Sequence, residues 1–224
     1  MHASHVTRTN PVARSEKMSG ETFATLINLS GRRRFTSQRV VLYAVLAADG
    51  DTSALVIAQD ALKLFVDAHK ALIDGNDKVP GVFSPELQMA YYGPEEGDKK
   101  IRAFIELAER TFTAIESGWR QKAVFLKDLI ASTTPLLAVL NSITAVYEKE
   151  ARSHANSVKN QLQDVMSEIK DISKQAHMVA FNAQIIASRA GNAGKEFSVV
   201  ANVMTSITSE IDKLVQAALT RAAA

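Results

Sequence analysis

The sequence predicts an all-α protein: an up-down four-helix bundle whose fourth helix runs on into an antiparallel coiled-coil hairpin. Three observations carry that fold class. From Ala151 to Ala190, the residues Ala151, Ala155, Val158, Leu162, Val165, Ile169, Ile172, Ala176, Val179, Ala183, Ile186 and Ala190 recur at alternating four- and three-residue steps, the seam of a coiled coil. After Gly191-Asn192-Ala193-Gly194 the alternation resumes through Phe197, Val200, Met204, Ile207, Ile211, Leu214 and Ala218. The two seams are therefore expected to face each other, with glycines supplying the positive φ of the reversal. Upstream, four further helical patterns are joined by mostly short links, and no stretch reads as a strand.

Residues 1–20 are polar, contain Pro11 and show no period, which predicts a disordered leader. From Glu21 to Ala48 a stripe of Phe23, Ile27, Ser30, Arg34, Ser37, Val41, Ala44 and Ala48 marks the first helix and puts an arginine on its inner face. Asp49-Gly50-Asp51-Thr52 stops that helix and caps the next, expected over Ser53–Ile73 with His69 on its apolar stripe. Residues 74–97 carry three prolines and read as loop, with a short helix started by Ser84-Pro85-Glu86. A third long helix is expected over Asp98–Ile130, with Phe112, Trp119 and Phe125 in its core. Thr133-Thr134-Pro135 then reads as a cap and first turn, and the fourth helix continues to Ala190. These elements divide the chain into a leader (1–20), a four-helix domain (21–150) and a hairpin (151–224). The return arm, Lys195–Arg221, is shorter than the outgoing one, so residues 151–164 are expected to find their partner in a second copy.

Composition narrows the function. Lys plus Arg number 26 against 24 Asp plus Glu, a net charge of +2, which gives no long-range attraction to nucleic acid. The basic excess is local, with seven basic against two acidic residues in 1–40. With no cysteine, disulfides and thiolate chemistry are excluded, in keeping with a cytoplasmic location. The longest uninterrupted apolar run, Val40–Ala48, has nine residues, short of the ~20 of a membrane helix, so no membrane span is expected. Gly191 to Lys195 has too few residues between its glycines for a phosphate loop, and no nucleophile–base pattern occurs. No catalytic residue, cofactor or metal site is predicted. His69 stands alone, without a second histidine at ligand spacing, and is expected to be a hydrogen-bonded core histidine.

The candidate binding residues lie in Gly31-Arg32-Arg33-Arg34-Phe35-Thr36-Ser37-Gln38-Arg39. Three consecutive arginines at about 100° per residue cannot all avoid the bundle interior when Ser30 and Ser37 face inward. A buried guanidinium without a partner costs several kcal/mol. Something anionic should therefore stand beside it: a carboxylate such as Asp60, Asp67 or Glu116, or a small anion held by Arg34, Arg33, Ser30 and Ser37. The segment resembles the GRQRMLSQR motif of type IV pilus chemotaxis-type transducers, related to the sensors of nitrate/nitrite kinases. Gly31, Arg32, Arg34, Ser37, Gln38 and Arg39 match, and Phe35 replaces a methionine. The resemblance implies a sensor bundle over most of 21–151, with Arg34 in the position that holds nitrate or nitrite.

At the other end, Asn182-Ala183-Gln184-Ile185-Ile186-Ala187-Ser188-Arg189-Ala190-Gly191 through Gly194, Phe197, Val199, Val200 and Ala201 resembles the hairpin tip of methyl-accepting chemotaxis receptors. The resemblance implies a signal transducer whose tip clusters dimers and contacts a chemotaxis histidine kinase and its coupling protein. Asn182, Arg189 and Val199 keep the family's contact residues, whereas Lys174, Ile186, Asn192 and Glu196 depart from them. Paired Glu/Gln methylation sites are not seen, so adaptation by methylation is not expected. The competing reading is a scaffold that uses the coiled coil for assembly alone, with its arginines paired internally.

Overall fold

A computed structural model describes residues 18–223, and their side chains as far as residue 220. Among the described residues there are six α-helices, one 3-10 turn and no strand: α1 (Gly20–Ala48), α2 (Thr52–Asp74), α3 (Pro85–Tyr92), α4 (Gly97–Glu116), α5 (Lys122–Arg189), the turn Gly191–Gly194, and α6 (Lys195–Ala223). The chain divides into two compact units at His154/Ala155, and α5 contributes to both. The expected disorder of residues 1–17 lies outside the described residues.

In the first unit, local chemistry sets the helix ends. Ser19 caps α1 by accepting from the Thr22 N–H at 3.2 Å. Asp51 accepts from the Ser53 and Ala54 N–H groups and starts α2. Ser84 accepts from the Leu87 N–H, with Pro85 in the first turn where its missing donor costs nothing. Leu26, Phe65, Leu72, Leu87, Ile101, Leu129, Leu140 and Ile143 are fully enclosed between α1, α2, α3, α4 and the first part of α5. Each such side chain contributes about 1.5–3 kcal/mol by leaving water.

Two expected boundaries are corrected. The third long helix stops at Glu116 instead of Ile130, because Gly118 adopts φ 62° and the Ser117 and Gly118 N–H groups close back on Thr113 and Ile115. Trp119 thereby falls in the reversal and is 45% exposed, not core. Residues 122–130 belong to α5, and Pro135 lies inside that helix of 68 residues. A proline within a helix removes one hydrogen bond. Just before the proline, the Ser132 and Thr133 hydroxyls each donate back to the Leu129 carbonyl.

The run-length argument against a membrane-length segment holds for uninterrupted runs only. An 18-residue window in α5 reaches a mean hydropathy of 1.6 and is 28% buried, long and apolar enough to cross a membrane by composition. Counting uninterrupted apolar runs misses it, because residues 129–147 are interrupted only by uncharged Ser, Thr, Asn and Pro. One face of this segment supplies Leu129, Leu136, Leu140, Ile143 and Tyr147 to the bundle core.

The second unit is an antiparallel pair formed by the end of α5 and α6. Ser173 Oγ donates to the Thr208 carbonyl at 3.1 Å, and Gln184 Nε2 donates to Ser198 Oγ at 3.0 Å, so the contacts converge on the turn. The residues that meet are small and seven apart: Ser173, Ala180 and Ala187 on α5, with Ala201, Thr208 and Val215 on α6. The expected facing of the two apolar seams is corrected in part: Ala176, Ala183, Met204, Ile211 and Ala218 lie half-buried at the margins of this column, and the other seam residues turn away from it. Val158, Leu162, Val165, Ile172, Val179 and Ile186 are 43–65% exposed, as are Phe197, Val200, Ile207 and Leu214 at 51–65%. Small side chains at Ser173, Ala180, Ala187 and Ala201 let the two helices approach closely, with Thr208 and Val215 the larger members of the column. At the reversal Gly191 has φ 60°, and a Cβ on Gly194 would overlap the Ala187 carbonyl.

Candidate functional site

The expected inner face of α1 is present at Phe23, Ser30, Ser37, Val41 and Ala44, but the arginine it encloses is Arg33 and not Arg34. Leu26, Arg33, Val40 and Ala47 form a buried column, while Arg34 sits at its half-exposed margin. Columns through Leu26 and Ile27 both alternate at three- and four-residue steps, so residue spacing alone favours neither. Arg33 is fully enclosed. Its Nη1 lies 3.1 Å from His69 Nδ1, its Nη2 donates to Ser30 Oγ at 3.3 Å, and its Cζ stands 5.7 Å from the centre of the Tyr91 ring.

Donor and acceptor roles follow from chemistry. A guanidinium only donates, so His69 Nδ1 accepts and Nε2 carries the ring proton. Nε2 donates that proton to Asp98 Oδ1 at 2.9 Å, and Asp98 Oδ2 accepts from Arg102 Nε at 2.7 Å. Thr144 Oγ1 donates to the Leu140 carbonyl at 2.7 Å, which leaves Ser30 as donor in the 2.8 Å Ser30–Thr144 bond. One chain of hydrogen bonds thus runs from Arg102 on α4, 61% exposed, through Asp98, His69, Arg33 and Ser30 to Thr144 on α5.

Electrostatics keep His69 neutral. Burial first, and the Arg33 charge second, lower its pKa from 6.5 to about 4, against the opposing pull of Asp98. A buried cation therefore reaches its carboxylate only through a neutral imidazole. Arg33 Nε has no hydrogen-bond partner among the described residues, so the network is incompletely satisfied. Beside it Tyr91 and Tyr147 pair their hydroxyls at 3.2 Å, and burial, reinforced by Tyr91, pushes the Tyr147 phenol up.

The predicted binding residues separate. Arg33 and Ser30 come together in the buried network, and Ser37 is buried with its hydroxyl on the Arg34 carbonyl. Arg34 donates to Asn141 Oδ1 at 3.1 Å, and among the described residues neither Asp60, Asp67 nor Glu116 pairs with it. His69, Asp98, Arg102 and Thr144 were not found as a set from sequence, because their helices share no local spacing. The signal available was His69 on an apolar stripe.

Next to the network lies a cleft of about 280 Å3 between α2 and α4, lined by Val66, His69, Lys70, Ile73, Asp74, Arg102, Ile105 and Glu106. At the hairpin, Asn182, Arg189, Gly191, Phe197, Val199 and Val200 are exposed, and Gly194 is buried. Ile186, at 64%, is equally open. No group of three or more metal-ligating side chains occurs among the described residues.

These features meet the comparison with known families on the hairpin side. Residues 131–220 match the methyl-accepting chemotaxis protein (MCP) signalling domain. That stretch is chemoreceptor-like. The matched family is a signalling and non-enzymatic one, whose members pair as coiled-coil dimers and engage chemotaxis kinase machinery. No curated protein and no solved structure matches the chain. The arginine segment lies outside the matched residues.

Proposed function

We propose that this protein is a dimeric chemoreceptor-like signal transducer, in which the four-helix unit receives a small ligand and the hairpin tip contacts a chemotaxis histidine kinase and its coupling protein in the cytoplasm. The observation that carries the reading is the hairpin of the MCP-like region. It closes on small residues and leaves two apolar stripes, Val158 to Ile186 and Phe197 to Leu214, open to water. A stripe of that length at four-and-three spacing is suited to a second copy, which would complete a coiled-coil bundle. Asn182, Arg189, Val199 and Val200 would then form the tip surface that meets the kinase and coupling protein.

For the input, Arg34 is the guanidinium an anion such as nitrate or nitrite would reach. It is half exposed, Asn141 holds one of its nitrogens, and Arg33, Ser30 and Ser37 stand enclosed behind it. The test mixes the full chain with a chemotaxis histidine kinase and coupling protein, with and without nitrate, and measures co-sedimentation. Association lost in Arg189→Ala and Val199→Asp supports the reading. No association under any condition removes the kinase from it.

A second reading, an assembly scaffold without a ligand, is favoured by the internal pairing of Arg33 with His69 and of Arg34 with Asn141. In it Ile186 would lie in an association surface. Thermal melting separates the two, because an anion at 100 times its dissociation constant adds about 2.7 kcal/mol. A midpoint unmoved by nitrate or nitrite in both wild type and Arg34→Ala favours the scaffold.

A further inference from the structure

We infer that the cleft between α2 and α4 binds a small zwitterion of the free α-amino-acid class, and that Arg102 and Asp98 report its presence to α5 through His69, Arg33 and Ser30. The inference rests on reading the four-helix unit as the input module, and it places that input away from Arg34.

The cleft has two cations, Lys70 and Arg102, and two anions, Asp74 and Glu106, around the apolar side chains of Val66, Ile73 and Ile105. Lys70–Asp74 and Arg102–Glu106 each stand four residues apart on a helix, the spacing at which opposite charges usually pair. Among the described residues neither pair forms. Arg102 engages Asp98 through Nε alone, which leaves its two terminal nitrogens free of a protein partner among those residues. A planar fork with both tips open suits a carboxylate in two-point contact. The carboxylates of Asp74 and Glu106 suit an ammonium, and the aliphatic wall suits an uncharged apolar side chain. A volume of about 280 Å3 takes a ligand of amino-acid size and is small for anything much larger.

The base of the cleft differs from an ordinary groove between helices. His69 lines it, yet is 4% exposed, and both ring nitrogens are committed, Nε2 to Asp98 and Nδ1 to Arg33. A ligand carboxylate on Arg102 draws on the same guanidinium that Asp98 holds. Any shift of Asp98 changes the hydrogen bond that fixes the His69 ring, and through it the acceptor of the buried Arg33. The unpartnered Arg33 Nε makes this a network with an alternative arrangement within reach, and its far end is the Ser30–Thr144 bond to α5. Signal thus passes by exchange of hydrogen bonds between side chains, with no need for a large displacement.

The experiment is calorimetric titration of the full chain with each of the twenty free amino acids and with nitrate. Isovalerate and isoamylamine serve as probes lacking the ammonium or the carboxylate. At least one aliphatic amino acid should bind once per chain, with both truncated probes at least tenfold weaker. Arg102→Met and Glu106→Gln should each weaken it at least tenfold with an unchanged circular dichroism spectrum. Lys70→Ala is a second exposed variant should Arg102→Met fail to fold. In protein labelled with 15N-histidine, the His69 Nε2–H resonance should move at saturation. The site is overturned if no amino acid binds, if only nitrate binds, or if binding survives Arg102→Met within twofold. Binding that leaves the His69 resonance unmoved overturns the relay. Neither measurement involves the kinase, so failure of kinase docking leaves both intact, and their failure leaves kinase docking intact.

Discussion

The two units bury opposite kinds of residue. The four-helix unit encloses Leu, Ile, Phe and Tyr side chains around a charged centre, Arg33 with His69. The hairpin encloses mainly serine, alanine, glycine and threonine, with Val215, and turns most of its large apolar side chains outward. The difference teaches that burial within one chain marks a finished core only in the first unit. In the second, the residues with the most to gain from leaving water remain in it. The first unit holds a specific internal arrangement, and the second leaves open the apolar face to which the proposed second copy would bind.

The largest expected effect tests the charged centre. His69→Leu removes the one acceptor that Arg33 Nη1 has among the described residues and strands a guanidinium in a sealed core, so unfolding free energy should fall by roughly 3–5 kcal/mol in urea titration. The double variant Arg33→Met/His69→Leu should recover most of that loss. Replacing a whole buried polar pair with apolar residues of similar volume is often neutral or better. A double variant as unstable as the single one would show that the cost lies in packing and not in the uncompensated charge.

A smaller effect should appear with pH. The His69 pKa is lowered in the folded state, from 6.5 to about 4, so between those values the unfolded chain binds the extra proton. Stability therefore rises with pH across that window and is lost as pH falls from 6.5 towards 4, by roughly 3 kcal/mol in all. Glu150 runs the other way, since burial, with Glu86 nearby, raises its carboxyl. The relevant quantity is accordingly the difference between wild type and His69→Leu over the same range. An imidazole titrating near 6.5 by NMR would mean that His69 is not enclosed beside Arg33 as the structure has it.

How much of this was legible in the sequence depends on which residues are asked about. The helical periods, the caps at Asp51 and Ser84, and the reversal at Gly191 follow from local spacing, and the structure has them. The break at Gly118 was also written in the sequence, but an apolar pattern running through Phe112, Trp119 and Phe125 outweighed one glycine. At Arg33 and Arg34 the sequence held two equal registers, and what selects between them is His69, 36 residues away. The cleft was hidden for the same reason, because Lys70 and Arg102 become neighbours only when α2 and α4 pack. In the hairpin, the large apolar seam suggested where the helices meet, yet the small-residue column beside it allows the closer approach. Hydrophobicity identified the sticky face without saying whether its partner was the same chain.

Two adjacent residues sharpen that last distinction with the smallest expected change in stability. Ala187 is 3% exposed and lies across the reversal from Gly194, whose missing Cβ makes room for its backbone, whereas Ile186 is 64% exposed. Ala187→Leu should overpack the join and destabilise the hairpin by about 1–3 kcal/mol. Ile186→Ser should alter the unfolding free energy of dilute, dissociated chains by less than about 0.5 kcal/mol, as surface changes do. At high concentration the order should reverse. Sedimentation equilibrium of Ile186→Ser should show weakened self-association, because a polar residue then interrupts the outward stripe between Val179 and the turn. If instead Ile186→Ser lowers monomer stability as much as Ala187→Leu does, the large seam closes on α6 after all, and the outward stripe is no docking face.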